Sequence, residues 1–477
     1  MIKYLFLSIL IFSLSSCTED FDEINTNPNA PINVQPGLLL RQVIYDYGEE
    51  MSYEGFVAGN LLSQHFTMVD FNLFDRHDLS SPQLGGNPWP AIYTNLRDNE
   101  LILDAAKASD VNRVYEGPAL ILKAYMSAAL TDIFGDVPYS EALNGKEGNT
   151  TPVYDDQEDI YIGTDGILDN LEKGIEAITA YDGNQSLEGD ILFDGNLQSW
   201  VAFGNSLRIK YLMRISGRVD VSDDLQAIYD EGNYISSNAG NATFDFSDTQ
   251  PNTFRMAVLR SGDFNLYVMS ETIQEITESL ADPRATVFFR ESSNNPGQFL
   301  GLLNGPDASS TSISVADFSL AGTMFRENTG VLDANFMTAW ETGFLLAEAA
   351  ERNLISADAQ SLYELAVGQS FAYWNVTMPA DYLVSGEASY GINGNDPIEQ
   401  IVTQKWLSNI INGYEGWIEY RRTGFPALKS VSASLNEGLI PRRMPYPADE
   451  AALNANNYAA ATAENSNSVN ATVWWDN

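Results

Sequence analysis

The stretch FMTAWETGFLLAEAAERNLISADAQSLYELAVGQSFAYW, residues 336–374, carries two helical periods separated by a short break. In the first half Phe336, Trp340, Phe344 and Ala347 form a stripe of mostly large residues. Ala339, Gly343, Ala347 and Ala350 form a small-residue stripe beside it. Both follow the three-to-four-residue spacing that puts side chains on one helix face. Asn353–Ser356 reads as a turn, with Ser356 as the expected N-cap of the next helix. That helix presents Leu362, Tyr363, Ala366, Val367, Phe371 and Trp374. A helix pair of large and small faces joined by a short turn is the unit of tetratricopeptide-like arrays. The expected fold is therefore all-α, a tetratricopeptide-like helix-pair scaffold.

Outward from this pair the same periodicity recurs. Leu39, Val43 and Tyr47, with Leu40 and Ile44, follow Pro36-Gly37. Further helices are expected at Phe56–Met68, Trp89–Ala106, Val111–Ile133, Asp159–Tyr181 and Leu197–Gly217. Small residues in Val111–Ile133 (Ala119, Ala124, Ala128, Ala129) invite close helix packing, and Gly135 and Pro138 end it. Between residues 238 and 335 the pattern weakens, and only Phe264–Leu280 reads as helix. A long irregular stretch of this kind is usually functional loop. Helices return at Asp396–Ile411 and Tyr414–Arg422. One domain, 37–477, is expected, with scaffold at 37–237 and 336–422 and a loop-rich part at 238–335 and 423–477.

Of 477 residues 44% are hydrophobic, enough for a proper core, and 65 acidic against 25 basic residues give a net charge of −40. That balance argues against nucleic acid and lowers the odds for polyanionic ligands. At the N-terminus Lys3 precedes a short apolar run, Tyr4–Leu14, and then Ser15-Ser16-Cys17. This is the pattern of a secretory signal peptide, 1–16, too short to span a membrane. Cys17 is the only cysteine and stands where a lipoprotein is cleaved and acylated; the plainer alternative is a signal peptide with an incidental cysteine. Residues 17–36, acidic and then rich in Asn and Pro, read as a solvated tether.

Catalytic motifs are missing: there is no G-x-S-x-G, P-loop, G-x-G-x-x-G or H-E-x-x-H. The two histidines, His65 and His77, are expected to be ordinary polar residues, and no cofactor or metal site is expected. Asp182–Asp190 superficially suggests a calcium loop, but Leu187 stands where that loop needs glycine. A carboxylate pair for glycoside hydrolysis stays open, since so acidic a chain supplies many pairs. Arg421-Arg422 and Arg442-Arg443 are expected to pair with acidic residues and lock the C-terminal segments, with anion recognition as the alternative. Stripe aromatics such as Trp200, Trp340 and Trp374 are expected in the core. Loop-borne or helix-start rings suit stacking on sugar C–H faces better: Phe71, Phe74, Trp89, Phe318 and Phe325.

Five segments resemble, in order, the SusD/RagB family of nutrient-binding lipoproteins. These are FDEINTNPNA (21–30), DIFGDVPYSEAL (132–143), GDILFDGNLQSWVAFGNSLRIKYLMRIS (189–216), TAWETGFLLAEAAERN (338–353), and a C-terminal set. That set is Trp417-Ile418-Glu419-Tyr420-Arg421-Arg422-Thr423-Gly424-Phe425-Pro426 followed by Pro441-Arg442-Arg443-Met444-Pro445-Tyr446-Pro447. The acidic residues after Cys17 also resemble surface-export signals of Bacteroidota lipoproteins. The resemblance implies a SusD-like fold and an outer-membrane lipoprotein facing the exterior. It implies capture of a nutrient, most often a glycan, and a lid role on a SusC-like TonB-dependent transporter. Peptide or another non-glycan nutrient is the alternative ligand, as RagB-type relatives suggest.

Overall fold

A computed structural model describes residues 35–80, 84–309 and 312–476. Helix α1 (Pro36–Glu54) opens on a proline, whose missing N–H is harmless in the first turn. It buries Leu39, Leu40, Val43, Ile44 and Tyr47. The chain does not stop at Glu54 but runs through a π-helical turn, Gly55–Gly59, into Asn60–Leu62. A side chain at Gly59 would put its Cβ 2.0 Å from the Gly413 carbonyl oxygen, so glycine is what lets the 411–413 turn lie against this segment. The separate helix expected at Phe56–Met68 is thus the tail of α1 followed by strand β1 (Phe66–Met68). An apolar run buried on every side carries no periodicity to distinguish the two.

Four helices continue the scaffold: α2 (Trp89–Ala108), α3 (Glu116–Phe134), α4 (Ile167–Thr179) and α5 (Leu197–Ile215). α3 packs between α2 and α4, and α5 covers α4. Gly117 and Gly174 make the α3–α4 contact close: a Cβ on Gly174 would lie 3.0 Å from the Gly117 oxygen. The helix expected from Val111 begins as a 3-10 turn, Asp110–Tyr115. That expected at Asp159–Tyr181 is split into Gln157–Ile162 and α4, where Gly163 and Gly166 turn the chain. Asp190 in the would-be calcium loop is turned inward. Its carboxylate accepts from the backbone N–H of Leu192, Phe193 and Gly195, and from the Trp200 indole at 2.9 Å. It is a turn staple that fixes the entry to α5. A helix not anticipated from the sequence, α6 (Ser222–Glu231), follows.

The middle of the chain is better ordered than its composition suggests. β2 (Ala242–Asp245) and β3 (Tyr267–Met269) precede α7 (Glu271–Leu280), and β4 (Asp333–Met337) comes later. β1 pairs with β3 and β2 with β4, both antiparallel. The helix expected from Phe264 therefore starts only after β3, with Ser270 as N-cap. Phe254, Phe264 and Phe325 from this part surround Phe56 of the scaffold, at ring separations of 6.1, 5.9 and 5.2 Å. The irregular region is bound to the helices by this aromatic cluster.

The 336–374 stretch folds into α8 (Ala339–Glu351) and α9 (Ala359–Tyr373), with Phe336 and Met337 closing β4. Gly343 faces Ala366, where an added Cβ would come within 2.9 Å, so the small stripe lets the pair approach. Asp358, not Ser356, caps α9, accepting from the Ser361 N–H at 2.9 Å. α10 (Pro397–Ser408) packs on α8, and α11 (Glu415–Thr423) runs beneath both scaffold halves.

Where α3, α5, α8, α10 and α11 meet, buried cations and carboxylates occur in equal number. Asp132, Glu341, Glu348, Glu415 and Glu419 face Lys210, Arg214, Lys405, Arg421 and Arg422, and all are buried. Arg214 reaches Glu415 at 2.6 Å and Glu419 at 2.7 Å; Lys210 reaches Glu341 at 2.8 Å. Arg422 grips Glu348 and Glu419, and Arg442 pairs with Asp476. Arg421 and Arg443 do otherwise than expected. Arg421 donates to the backbone oxygens of Asp132 and Arg442 and lies on the Trp417 ring, 4.0 Å from its centroid. The Arg443 guanidinium lies over the Tyr446 ring, 4.1 Å from its centroid. Arg421, Arg422 and Arg442 thus hold backbone oxygens and carboxylates within the fold.

Candidate functional site

The loops on one side of the molecule are locked together by a buried carboxylate. Asp75 accepts from the Thr67 hydroxyl at 2.6 Å, the Met68 N–H at 3.1 Å, the Gly305 N–H at 2.8 Å and the Asn304 amide at 2.7 Å. Burial raises its pKa, and these hydrogen bonds pull the other way. Asn304 also donates to the Phe66 oxygen and accepts from the Ser270 hydroxyl, tying the hub to β1 and α7. The third loop joins through the backbone: Ser432 and Ala433 N–H groups donate to the oxygens of Asn304 and Gly305. Arg76 donates to the Ala433 oxygen, and the Leu435 N–H returns a bond to Arg76. Segments 66–80, 302–309 and 429–440 thus form one face of fixed geometry.

At that face Phe71 stands out. Its backbone has φ +50°, and its N–H is held by the Asp70 carboxylate at 2.7 Å. The neighbouring Asn72 is buried and fixed to the Pro306 oxygen at 2.6 Å. The residue is 64% exposed, although the loop that carries it is hydrogen-bonded on both sides. An aromatic residue held open at a left-handed backbone position is uncommon. Polar groups stand on the same loops: the Asp78–Ser80 and Asp307–Ser309 pairs are exposed, each joined through a hydroxyl.

The other sequence-predicted aromatics are placed differently. Trp89 is buried against Tyr93, Phe134 and Tyr446, and Phe325 is fully buried among Phe56 and Phe66. Phe74 is buried too, packed on Gly86, where an added Cβ would lie 2.5 Å from its ring. These three rings serve the packing, because the helix start and loop positions that carry them fold inward. Phe318 is half-buried, so it and Phe71 alone of the five keep ring surface toward solvent. Cys17 lies outside the described residues.

The histidines are internal and neutral. His65 donates through Nε2 to the Trp406 oxygen, accepts at Nδ1 from Ser63 and stacks on the Trp406 ring at 4.0 Å. Burial pushes it down to about 3, and His77, donating to the Leu439 oxygen, to about 4. The carboxyls of Asp245 and Asp333 oppose one another across β2–β4 and share a hydrogen bond. That is closer than the roughly 5–9.5 Å at which glycosidase carboxyls work.

Glu54 ties the far end of the Phe71 loop to the scaffold. Its carboxylate accepts from the Gly86 N–H at 2.7 Å and from the Tyr414 hydroxyl, while the Tyr53 hydroxyl holds the Leu84 oxygen. Burial pushes Glu54 up to about 7 and outweighs both hydrogen bonds. A carboxyl raised on folding holds its proton more tightly in the native state, so its contribution to stability falls as pH climbs from about 4.5 to about 7, at about 1.4 kcal/mol per pKa unit. Urea denaturation of Glu54→Gln between pH 5 and pH 8 should show a flatter pH dependence than the parent. Identical slopes would remove Glu54 from this account.

A helical scaffold thus holds these hydrogen-bonded loops, with the exposed Phe71 among them, on a single face. The chain belongs to the SusD-like family described as starch-binding and associating with the outer membrane, whose model matches residues 28–447. The fold is similar to that of a SusD homolog from Bacteroides fragilis, at 24% identity and TM-score 0.76, covering 93% of this chain and 99% of that one. It is similar to a chitin-binding SusD homolog from Flavobacterium johnsoniae, at 22% identity and TM-score 0.75, over 93% of this chain and 98% of the other. A SusD homolog from Parabacteroides distasonis matches at 21% identity and TM-score 0.78, again over 93% and 98%. A comparison with curated proteins finds no match to the sequence. Among the described residues no helix is long and apolar enough to cross a membrane.

Proposed function

We propose that this chain is a surface lipoprotein, anchored through acyl chains on Cys17, that binds a neutral glycan and delivers it to a SusC-like TonB-dependent transporter. The reading carries no hydrolytic step: the protein binds and hands over. Phe71 is the observation that carries it. A phenylalanine 64% exposed on hydrogen-bonded loops offers a stacking platform for sugar C–H faces, with carboxylates and hydroxyls on the same loops to bond sugar hydroxyls. Phe318 is the second candidate for ring contact. The net charge of −40 favours a neutral ligand over an anionic one. The family description, starch-binding, and the chitin-binding relative support a polysaccharide.

Affinity electrophoresis of the full chain in starch, chitin-derived and anionic polysaccharide gels tests this. Retardation in one neutral glycan, weakened about tenfold or more in Phe71→Ala with unchanged melting, is the expected result. Losing one stacked ring and its desolvated contact is a change of about 1–3 kcal/mol. Full retention of binding in Phe71→Ala would move the site elsewhere.

A further inference from the structure

A cavity on the scaffold has the chemistry of a ligand site. It lies between α2, α3 and the loop 138–147 and has a volume of about 300 Å³, within the roughly 300–1,000 Å³ range of small-molecule sites. Ser127 lines it from α3. Its hydroxyl is buried and has no hydrogen-bond partner among the described residues. Other buried helical serines behave differently: Ser52, Ser206 and Ser408 each donate to the carbonyl four residues back, at 2.7, 2.9 and 2.8 Å. A buried hydroxyl left unpaired costs about 1–3 kcal/mol, so a partner from outside the chain is called for.

The walls state what that partner is. Leu96, Leu130 and Leu143 supply apolar surface, and Leu143 does so from a left-handed backbone, φ +67°, that a leucine rarely adopts. Around them stand Arg97, Lys123 and Lys146 against Glu100, Asp104 and Glu147. The cavity is therefore electrically balanced in a chain of net charge −40. Lys123 and Glu100, 3.5 Å apart, offer one donor and one acceptor side by side. Apolar walls, a deep unpaired hydroxyl and a balanced rim fit a neutral molecule with both C–H faces and hydroxyl groups. We propose that this cavity binds one neutral sugar residue, separately from the loop face that carries Phe71.

Saturation-transfer NMR and calorimetry on the full chain test the proposal, with methyl glucoside, methyl galactoside and N-acetylglucosamine as neutral probes and glucuronate and glucosamine as charged ones. Binding of a neutral probe is expected in the parent and in Phe71→Ala alike. Ser127→Ala should weaken it roughly fivefold, the worth of one neutral hydrogen bond. Ala142→Trp, which fills the cavity from the loop side, should abolish it while leaving polysaccharide retardation unchanged. If Ala142→Trp does not fold, the Ser127→Ala result stands by itself. Binding lost in Phe71→Ala but kept in Ser127→Ala would overturn the proposal, as would equal binding of the charged probes. A crystal structure grown with the neutral probe and showing only an ordered water on Ser127 would also overturn it.

Discussion

Replacing Arg422 with alanine should lower stability by about 3 kcal/mol, because it takes from buried Glu348 and Glu419 the guanidinium they share and leaves them to Arg352, Lys405 and Arg214. Arg422 is buried and bonds Glu348 at 2.7 Å and Glu419 at 2.6 Å. Burial alone would push both carboxyls up. Arg422 outweighs it at Glu348, and Arg422 with Lys405 and Arg214 does so at Glu419, so both sit below the ordinary range. Groups depressed on folding stabilise the native state above their unfolded pKa and lose that contribution as pH falls toward the folded value. The variant should therefore show a lower urea midpoint at neutral pH with an unchanged m value, and a smaller loss in acid. Arg422→Lys keeps the charge but not the fork, and should fall between the two. A loss under about 1 kcal/mol for Arg422→Ala would mean that water reaches these acids and the network is not closed.

Trp475→Ala should be of similar size, about 3–5 kcal/mol, for a different reason. The indole is 1% exposed and donates to Asp132 at 2.8 Å. The guanidinium of Arg421 lies 4.7 Å from its centroid and that of Arg214 5.5 Å. Truncation opens a large void and strips the aromatic lid from two buried cations at once. Scanning calorimetry of Trp475→Ala, Arg421→Ala and the double variant forms a cycle, and strong non-additivity is expected because the groups touch. Simple additivity would show that the contact carries no energy of its own.

The helical scaffold was legible because amphipathic helices announce themselves by spacing, as Leu39, Val43 and Tyr47 do in α1. Gly343 against Ala366 likewise bears out the small-residue stripe read from 336–352. Strands β1 and β3 were not legible. Each is three residues long and buried on both faces, so neither period can register. The cap of α9 moved from Ser356 to Asp358 because competing side chains two residues apart both suit the role, and only the tertiary path chooses. At the candidate face the aromatic residues were visible but their burial was not. Trp89 and Phe71 both flank loops in sequence. Trp89 is closed over by Phe134 and Tyr446, and Tyr446 lies more than 300 positions away. Asp75, which assembles the face, carries no sequence signal that separates it from the other acidic residues.

The buried ionic centre also constrains how fast the chain can reach its native state. Arg214 joins residues 201 and 205 positions away, Arg421 one 289 away, and Trp475 one 343 away. Contacts of such separation form only after large loops have closed, which slows assembly and keeps them out of an early nucleus. Substitutions at Arg421 and Trp475 are accordingly expected to leave refolding rates nearly unchanged and to appear almost wholly as faster unfolding. The charged centre acts as a late-closing latch, and what it confers on the molecule is lifetime.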